Sequence, residues 1–351
     1  MKDKAITLND IASKLNVSTV TVSKALRNHP DISPTTTKLI KKVAEELGYT
    51  PNIMARNLSA RKSNTIGIVI PKIAHFFFGS IIEHIYDVAF EHNYEIILTV
   101  SQENPERERK HIHTLMAMKV DGIIISITQE TLNYEIFDMV KRRGIPIVFI
   151  DRIPNMKNIN SVAVNDRQGA YKAIEHAIKL GYRKIGHLAG YTNINIGRDR
   201  KQGFIDAMNN YGVEINSDWI IEGGFGEKYG YDAFMKLYNQ KNLPDLFLTV
   251  TYPVALGVYI AAAEVGLKIP DDIDIICFGN AEVQKFLFPP LSCIDQPTKL
   301  LSEYSMDLIM KSIKEPDEIE TKNIVIDTQL ILRSTCISFN KKKELNESYI
   351  L

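Results

Sequence analysis

Between Thr19 and Arg27 the run TVTVSKALR sets hydroxyls, an aliphatic side chain and two cations at helical spacing. Thr19, Thr21 and Ser23 can bond phosphate oxygens, Lys24 can donate to guanine, and Val20 can pack on a thymine methyl. That is the chemistry of major-groove reading. Catalytic chemistry is absent by motif: no GxSxG, HExxH or GKS/T occurs, and GGFGEKYG does not fit the GxGxxG of a dinucleotide site. His111 and His113 sit two residues apart in the polar stretch ERERKHIHT, which puts them on different faces of a helix rather than on one metal. Cys277, Cys293 and Cys336 lie scattered in apolar runs without CxxC spacing, as buried thiols of a reduced protein would. No catalytic residue, metal or cofactor is expected.

Three short helices must position the reading face. Thr7 caps the first, with Asp10 three residues on as an acidic capping-box partner, and Leu8, Ile11, Ala12 and Leu15 share one side. Asn16 suits the left-handed turn that follows. Ser18 caps the second helix, whose inner face is Val22, Ala25 and Leu26. Ser33-Pro34 opens the third, which buries Leu39, Ile40, Val43 and Leu47 and stops at Gly48. Two helices joined by a tight turn and braced by a third make an all-α helix-turn-helix head.

Charge supports the division. Residues 1–62 carry 11 Lys and Arg against 5 Asp and Glu, and the remainder carries 31 against 37, although the whole chain of 351 residues is neutral. A basic head on an acidic body is expected when only the head meets a polyanion. No apolar run long enough for a membrane helix occurs, and MKDKAITLND lacks the apolar stretch of a signal peptide, so a cytoplasmic protein is expected.

Pro51-Asn52 breaks the chain after the head, and Ile53–Leu58 offers only one or two helical turns, too few to be stable alone. From Ile66 onward apolar strands alternate with amphipathic helices: Ile66–Ile70, Glu95–Val100, Gly122–Ile127, Pro146–Ile150, Lys184–Leu188, Leu246–Val250 and Asp274–Phe278. Ile81, Ile82, Ile85, Val88 and Ala89 stripe the helix Ser80–Glu91. This pattern predicts an α/β body with doubly wound parallel sheets, and its restart near Lys184 predicts two lobes. Ligands of such folds sit at the carboxyl ends of the strands.

The segments TLNDIASKLNVSTVTVSKALRN and ISPTTTKLIKKVAEELGYTPNIMARNL, followed by IGIVIP, NPERER, VDGIII, GIPIVFIDR, IPDDIDIICFGN and PPLSCIDQP, resemble the LacI/GalR family of bacterial transcription regulators in order and spacing. The resemblance covers nearly the whole chain. It implies a helix-turn-helix domain at 1–49, a hinge helix and linker at 50–62, a periplasmic-binding-protein-like effector and dimerisation domain at 63–339, and a flexible tail at 340–351. It places the first lobe at about 63–163 and 293–323 and the second at about 164–292 and 324–339, with three crossings.

The resemblance also implies roles. Thr19, Val20 and Lys24 would read bases, in a DNA-contacting set of Thr7, Ser18, Thr21, Ser23, Arg27, Asn28 and Asn52. Lys24 stands where many members carry arginine. In the hinge, Leu58 would wedge into the minor groove, with Ala55 one turn earlier on the same face. The cleft set would be His75, Phe78, Asp151, Arg198, Phe225, Tyr252, Asn280 and Gln296, with Arg198 gripping the polar end of the effector. Two cleft aspartates common in the family are replaced, by Thr251-Tyr252 before PVALG and by Gly279-Asn280 after Cys277-Phe278. Their loss predicts a less negative cleft that tolerates an acidic or phosphorylated ligand. The implied function is a repressor, a homodimer through the helix around Phe78–His92, bound to a pseudo-palindromic double-stranded operator under control of a sugar-like effector. The alternatives are a regulator governed by a protein partner and a cytosolic sugar-binding protein or enzyme, which leaves Thr7–Leu58 unexplained.

Overall fold

The computed structural model describes residues 6–50, 62–74, 76–316 and 321–338. Asn52, Ala55, Leu58 and the rest of the expected hinge helix at 51–61 lie outside the described residues, as do His75 and the expected tail at 340–351. The chain divides into two units, 1–63 and 64–351.

In the first unit, helices α1 (Leu8–Leu15), α2 (Thr19–Leu26) and α3 (Pro34–Glu46) follow one another through tight turns. Each start has the expected cap: Thr7 and Asp10 form a reciprocal capping box, Ser18 Oγ accepts from the Thr21 amide, and Ser33 Oγ accepts from the Thr36 amide. Asn16 closes α1 at φ +52°, in the left-handed region that asparagine tolerates. The core is Ile11, Ala12, Val22, Ala25, Ile40, Val43 and Ala44. Leu39 departs from the expectation. It is 51% exposed, because the inward stripe of α3 runs through Ile40, Val43 and Ala44, and one residue's offset turns a side chain by about 100°.

The second unit is two lobes, each a six-stranded sheet covered by helices. Its strands are β1 (Thr65–Ile70), β2 (Glu95–Val100), β3 (Gly122–Ile125), β4 (Ile147–Ile150), β5 (Asn160–Val164), β6 (Ile185–Ala189), β7 (Ile220–Glu222), β8 (Leu246–Thr249), β9 (Asp274–Phe278), β10 (Cys293–Asp295), β11 (Asn323–Ile326) and β12 (Gln329–Ile331). Its helices are α4 (Phe76–Glu91), α5 (Pro105–Ala117), α6 (Glu135–Arg142), α7 (Asp166–Leu180), α8 (Asn195–Asn210), α9 (Glu227–Asn239), α10 (Tyr252–Glu264) and α11 (Thr298–Lys314).

The first sheet runs β11-β5-β4-β3-β1-β2, all parallel. The second runs β12-β10-β9-β8-β6-β7 and is parallel except for the edge pair β10–β12. Strands β3, β4, β8 and β9 are buried along their whole length, which is why they read as unbroken apolar runs.

The strand partners move two lobe boundaries. Cys293–Asp295, expected in the first lobe, pairs with β9 of the second sheet, Cys293 beside Cys277. Asn323–Ile326, placed for the most part in the second lobe, pairs with β5 of the first sheet, Asn323 beside Ser161. The chain still passes between lobes three times, after β5, β10 and β11. Short strands such as these leave no periodic signature, and only their sheet partners assign them.

Candidate functional site

On α2 the core takes Val22 and Ala25, leaving Thr19 and Val20 outward at the helix start and Ser23 and Lys24 half-buried beside them. Val20 is 62% exposed, the most exposed large hydrophobic of the head among the described residues. Thr21 shares a hydrogen bond with the Ser18 hydroxyl, 2.8 Å away, so both are committed to the cap. The Thr7 hydroxyl is likewise held by Asp10 at 2.7 Å. Arg27 donates its Nε to the Ser23 carbonyl at 3.1 Å and keeps the rest of its guanidinium outward. Asn28, at φ +56°, accepts from Lys41 Nζ at 2.6 Å, which fixes the turn after the helix. Lys24 Nζ bonds Asp31 at 2.7 Å, and that bond first, with His29 beside it, holds the Asp31 carboxyl below the usual carboxylate range.

In the body, the carboxyl ends of both sheets face one cavity of about 110 Å³. That is room for several waters at roughly 10–15 Å³ each, or for one small metabolite. Six aromatic residues, Phe76, Phe77, Phe78, Phe225, Tyr252 and Phe278, supply its apolar walls. Asp151, Asn280 and Gln296 of the expected set also line it, as does Thr251 beside Tyr252, and so do Arg152, Arg200 and Thr298, which the sequence did not single out. The placement follows from topology: each of these residues comes directly after a strand or lies in the first turns of the helix beyond.

Asp151 leaves β4 at φ +63°, an unusual backbone for a non-glycine residue, and is 4% exposed. Burial pushes its carboxyl up to about 7, against the opposing pull of Arg152 and Arg200. Gln296 Nε2 and Arg152 Nε are buried with no hydrogen-bond partner among the described residues. Buried polar groups are rarely left so. Two such donors, beside the buried carboxyl of Asp151, make these walls a receptor for a polar molecule.

Arg198 is not part of this site. Its side chain is 56% exposed and bonds its neighbour Asp199 at 3.0 Å. The inward arginine is Arg200, because the buried stripe of α8 passes through Ile196, Gly197, Arg200, Gly203 and Phe204, and position 198 lies off that stripe. Arg200 donates to Asp166 at 2.7 Å and to the Val250 carbonyl at 2.5 Å, and lies 4.0 Å from the centre of the Phe278 ring. The other cleft arginine is also committed, since Arg152 Nη1 meets both oxygens of Glu103 at 2.9 Å. Both cations are therefore paired with bonded carboxylates, and the Asp151 and Asp295 carboxyls also line the walls. This arrangement weighs against the expected suitability for acids.

The lobes also meet across the cleft. Asn195, at the start of α8, donates to the Asp151 carbonyl at 2.8 Å and accepts from the Ile153 amide at 2.9 Å. Arg152 lies 5.0 Å over the ring of Phe225 from the other lobe. Phe225 can stand there only because position 190 is glycine: a Cβ would come within 2.0 Å of its ring. The Asn280 side chain accepts from Arg333 at 2.6 Å, and Phe78 is buried where α4 meets the cleft. Among the described residues no group of His, Cys, Asp and Glu is placed to hold a metal ion.

Residues 7–52 match the profile of bacterial regulatory proteins of the lacI family, and residues 63–334 match that of periplasmic binding proteins and the sugar-binding domain of the LacI family. The chain is 30% identical to the HTH-type transcriptional repressor PurR of Pasteurella multocida, over 94% of this chain and 98% of that protein. It is 30% identical to the catabolite control protein A of Priestia megaterium, over 87% and 92%. In structure it is similar to the lac repressor dimer bound to operator and an anti-inducer, with a TM-score of 0.85 at 25% identity, covering 95% of this chain and all of that one.

Proposed function

The chain belongs to the lacI family of bacterial regulatory proteins, and on that premise we propose how it works: paired α2 helices read an operator, and a small uncharged effector in the interlobe cleft sets the affinity. It is a DNA-binding transcriptional repressor that acts as a dimer. The reading positions are Thr19, Val20 and Lys24, with Thr7, Ser18, Thr21, Ser23, Arg27 and Asn28 holding the helix and its flanking turns against phosphates. Regulatory relatives argue for a binding protein and not an enzyme. No helix among the described residues is long and apolar enough to cross a membrane. A bacterial operator-bound protein works in the cytoplasm.

The observation that carries this reading is the cleft itself, where Gln296 and Arg152 leave buried donors unpartnered beside the buried Asp151 carboxyl, in a chain that also presents an outward reading helix. Asp151 calls for a hydroxyl or N–H donor, while Gln296 and Arg152 call for acceptors. Phe78 and Phe225 offer an apolar ring face. A compact neutral molecule with polar edges, such as a monosaccharide or a nucleobase, satisfies all of them. A phosphate or sugar acid would face the Asp151 and Asp295 carboxyls, and both cleft arginines are already paired with carboxylates.

Thermal-shift measurements on the full chain test this. Neutral sugars and nucleobases are expected to contain the class that raises the melting temperature, with sugar phosphates and sugar acids giving no shift. A ligand held at 100 times its Kd stabilises by about 2.7 kcal/mol, which is a rise of several degrees. Stabilisation by the acids alone would refute the charge argument.

A further inference from the structure

We propose that Asp31 is a specificity-determining residue of the DNA-reading unit, acting through Lys24, and that the pair reads a single G·C base pair. This deepens the reading of α2 as the recognition helix and rests on it. Asp31 lies beyond α2, on the turn that leads to α3, where a carboxylate beside a phosphate backbone would by itself only oppose binding. Its position is nonetheless fixed. Asn28 adopts φ +56° and is tied to Lys41, the His29 amide returns to the Lys24 carbonyl at 3.0 Å, and the Asp31 amide donates to His29 Nδ1 at 3.3 Å. The turn thus delivers the carboxylate to Lys24 Nζ at 2.7 Å, with the lysine side chain 35% and the aspartate side chain 57% exposed.

Two consequences follow from this geometry. Lysine is a point charge on a flexible stem, without the fixed fork that lets arginine aim itself. Asp31 supplies the missing constraint. The pair also presents a donor and an acceptor side by side, and the major-groove edge of G·C presents the complement: guanine O6 and N7 accept, and the neighbouring cytosine N4 amino group donates. Lys24 donates to guanine while Asp31 accepts from cytosine. An A·T pair offers its acceptors and its amino donor in a different order, so the joined pair discriminates where a free lysine would tolerate more.

The test is selection of bound duplexes from a randomised pool by the full-length protein and by Lys24→Ala, Asp31→Asn and the double variant. Wild type is expected to enrich G·C at one position of each half-site, and both single variants to relax that same position. Because the ion pair is exposed, Asp31→Asn should reduce the G·C preference only modestly, about two- to fivefold. In the Lys24→Ala background the same change should have no further effect at that position, which separates action through Lys24 from a general charge effect. The proposal is overturned if Asp31→Asn leaves the position unchanged, sharpens it, relaxes a different one, or acts equally in both backgrounds. Failure of wild type to enrich any motif would instead overturn the reading of α2. Lys24 is partly and Asp31 largely exposed, so the variants are expected to keep the head folded, which their unfolding curves would check.

Discussion

Asp151 is the residue on which the cleft chemistry turns. Its carboxyl titrates near 7 because burial disfavours the charge, so near neutrality it exists in both forms. A ligand that donates to the carboxylate favours the ionised form and releases a proton on binding. Affinity should therefore rise as pH increases through about 7 and level off above it. Calorimetry in buffers of different ionisation enthalpy would register the proton release, and Asp151→Asn should abolish it. The two neighbouring arginines of α8 make a sharper contrast. Arg200→Ala leaves Asp166 buried and unpaired and should cost on the order of 3–5 kcal/mol in urea unfolding. Arg198→Ala, at an exposed side chain, should stay within about 0.5 kcal/mol of wild type. Equal losses would contradict the assignment of Arg200 as the inward group.

At the scale of elements, α2 depends on its cap. Ser18→Ala removes the acceptor for the Thr21 amide and should lower the stability of the head by about 1 kcal/mol, read in the thermal unfolding of the full chain. Val20→Ala, at an exposed position, should leave stability unchanged while weakening thymine preference in selected DNA. The caps, the turns and β1, β2 and β9 were legible in the sequence because local rules govern them: a hydroxyl before a helix, asparagine where φ is positive, a mostly apolar run for a strand. What was not legible depended on distant partners. Strands β10, β11 and β12 are three or four residues long and belong where another strand accepts them. Arg200 was recoverable from its spacing to Phe204 and Ala207 on the buried stripe of α8, whereas Arg198 had only its motif. The charge balance of the cleft was illegible, because Glu103 and Asp166 are far in sequence from the arginines they neutralise.

The whole molecule couples a DNA-reading unit to a ligand cleft. Dimerisation gives the coupling its reach, since two half-sites bound together hold far more tightly than either alone. The helix expected to supply the interface, α4, turns Phe78 inward toward the cleft and leaves Tyr86 45% and Phe90 84% exposed. Phe90→Glu should shift sedimentation toward monomer and weaken operator binding by about a hundredfold or more. An unchanged sedimentation coefficient would place the interface elsewhere, with the exposed Phe286 and Phe288 of the second lobe the next apolar surface.

Linkage requires that an effector shift operator affinity by the same factor by which operator shifts effector affinity, ordinarily about 5- to 150-fold. The most direct measurement is a fluorescence-anisotropy titration of the selected operator with the full-length protein, with and without a saturating concentration of the ligand that raises its melting temperature. A change in Kd within that range, lost in Asp151→Asn, is the predicted result. A ligand that binds the cleft and leaves the operator Kd unaltered would contradict the account.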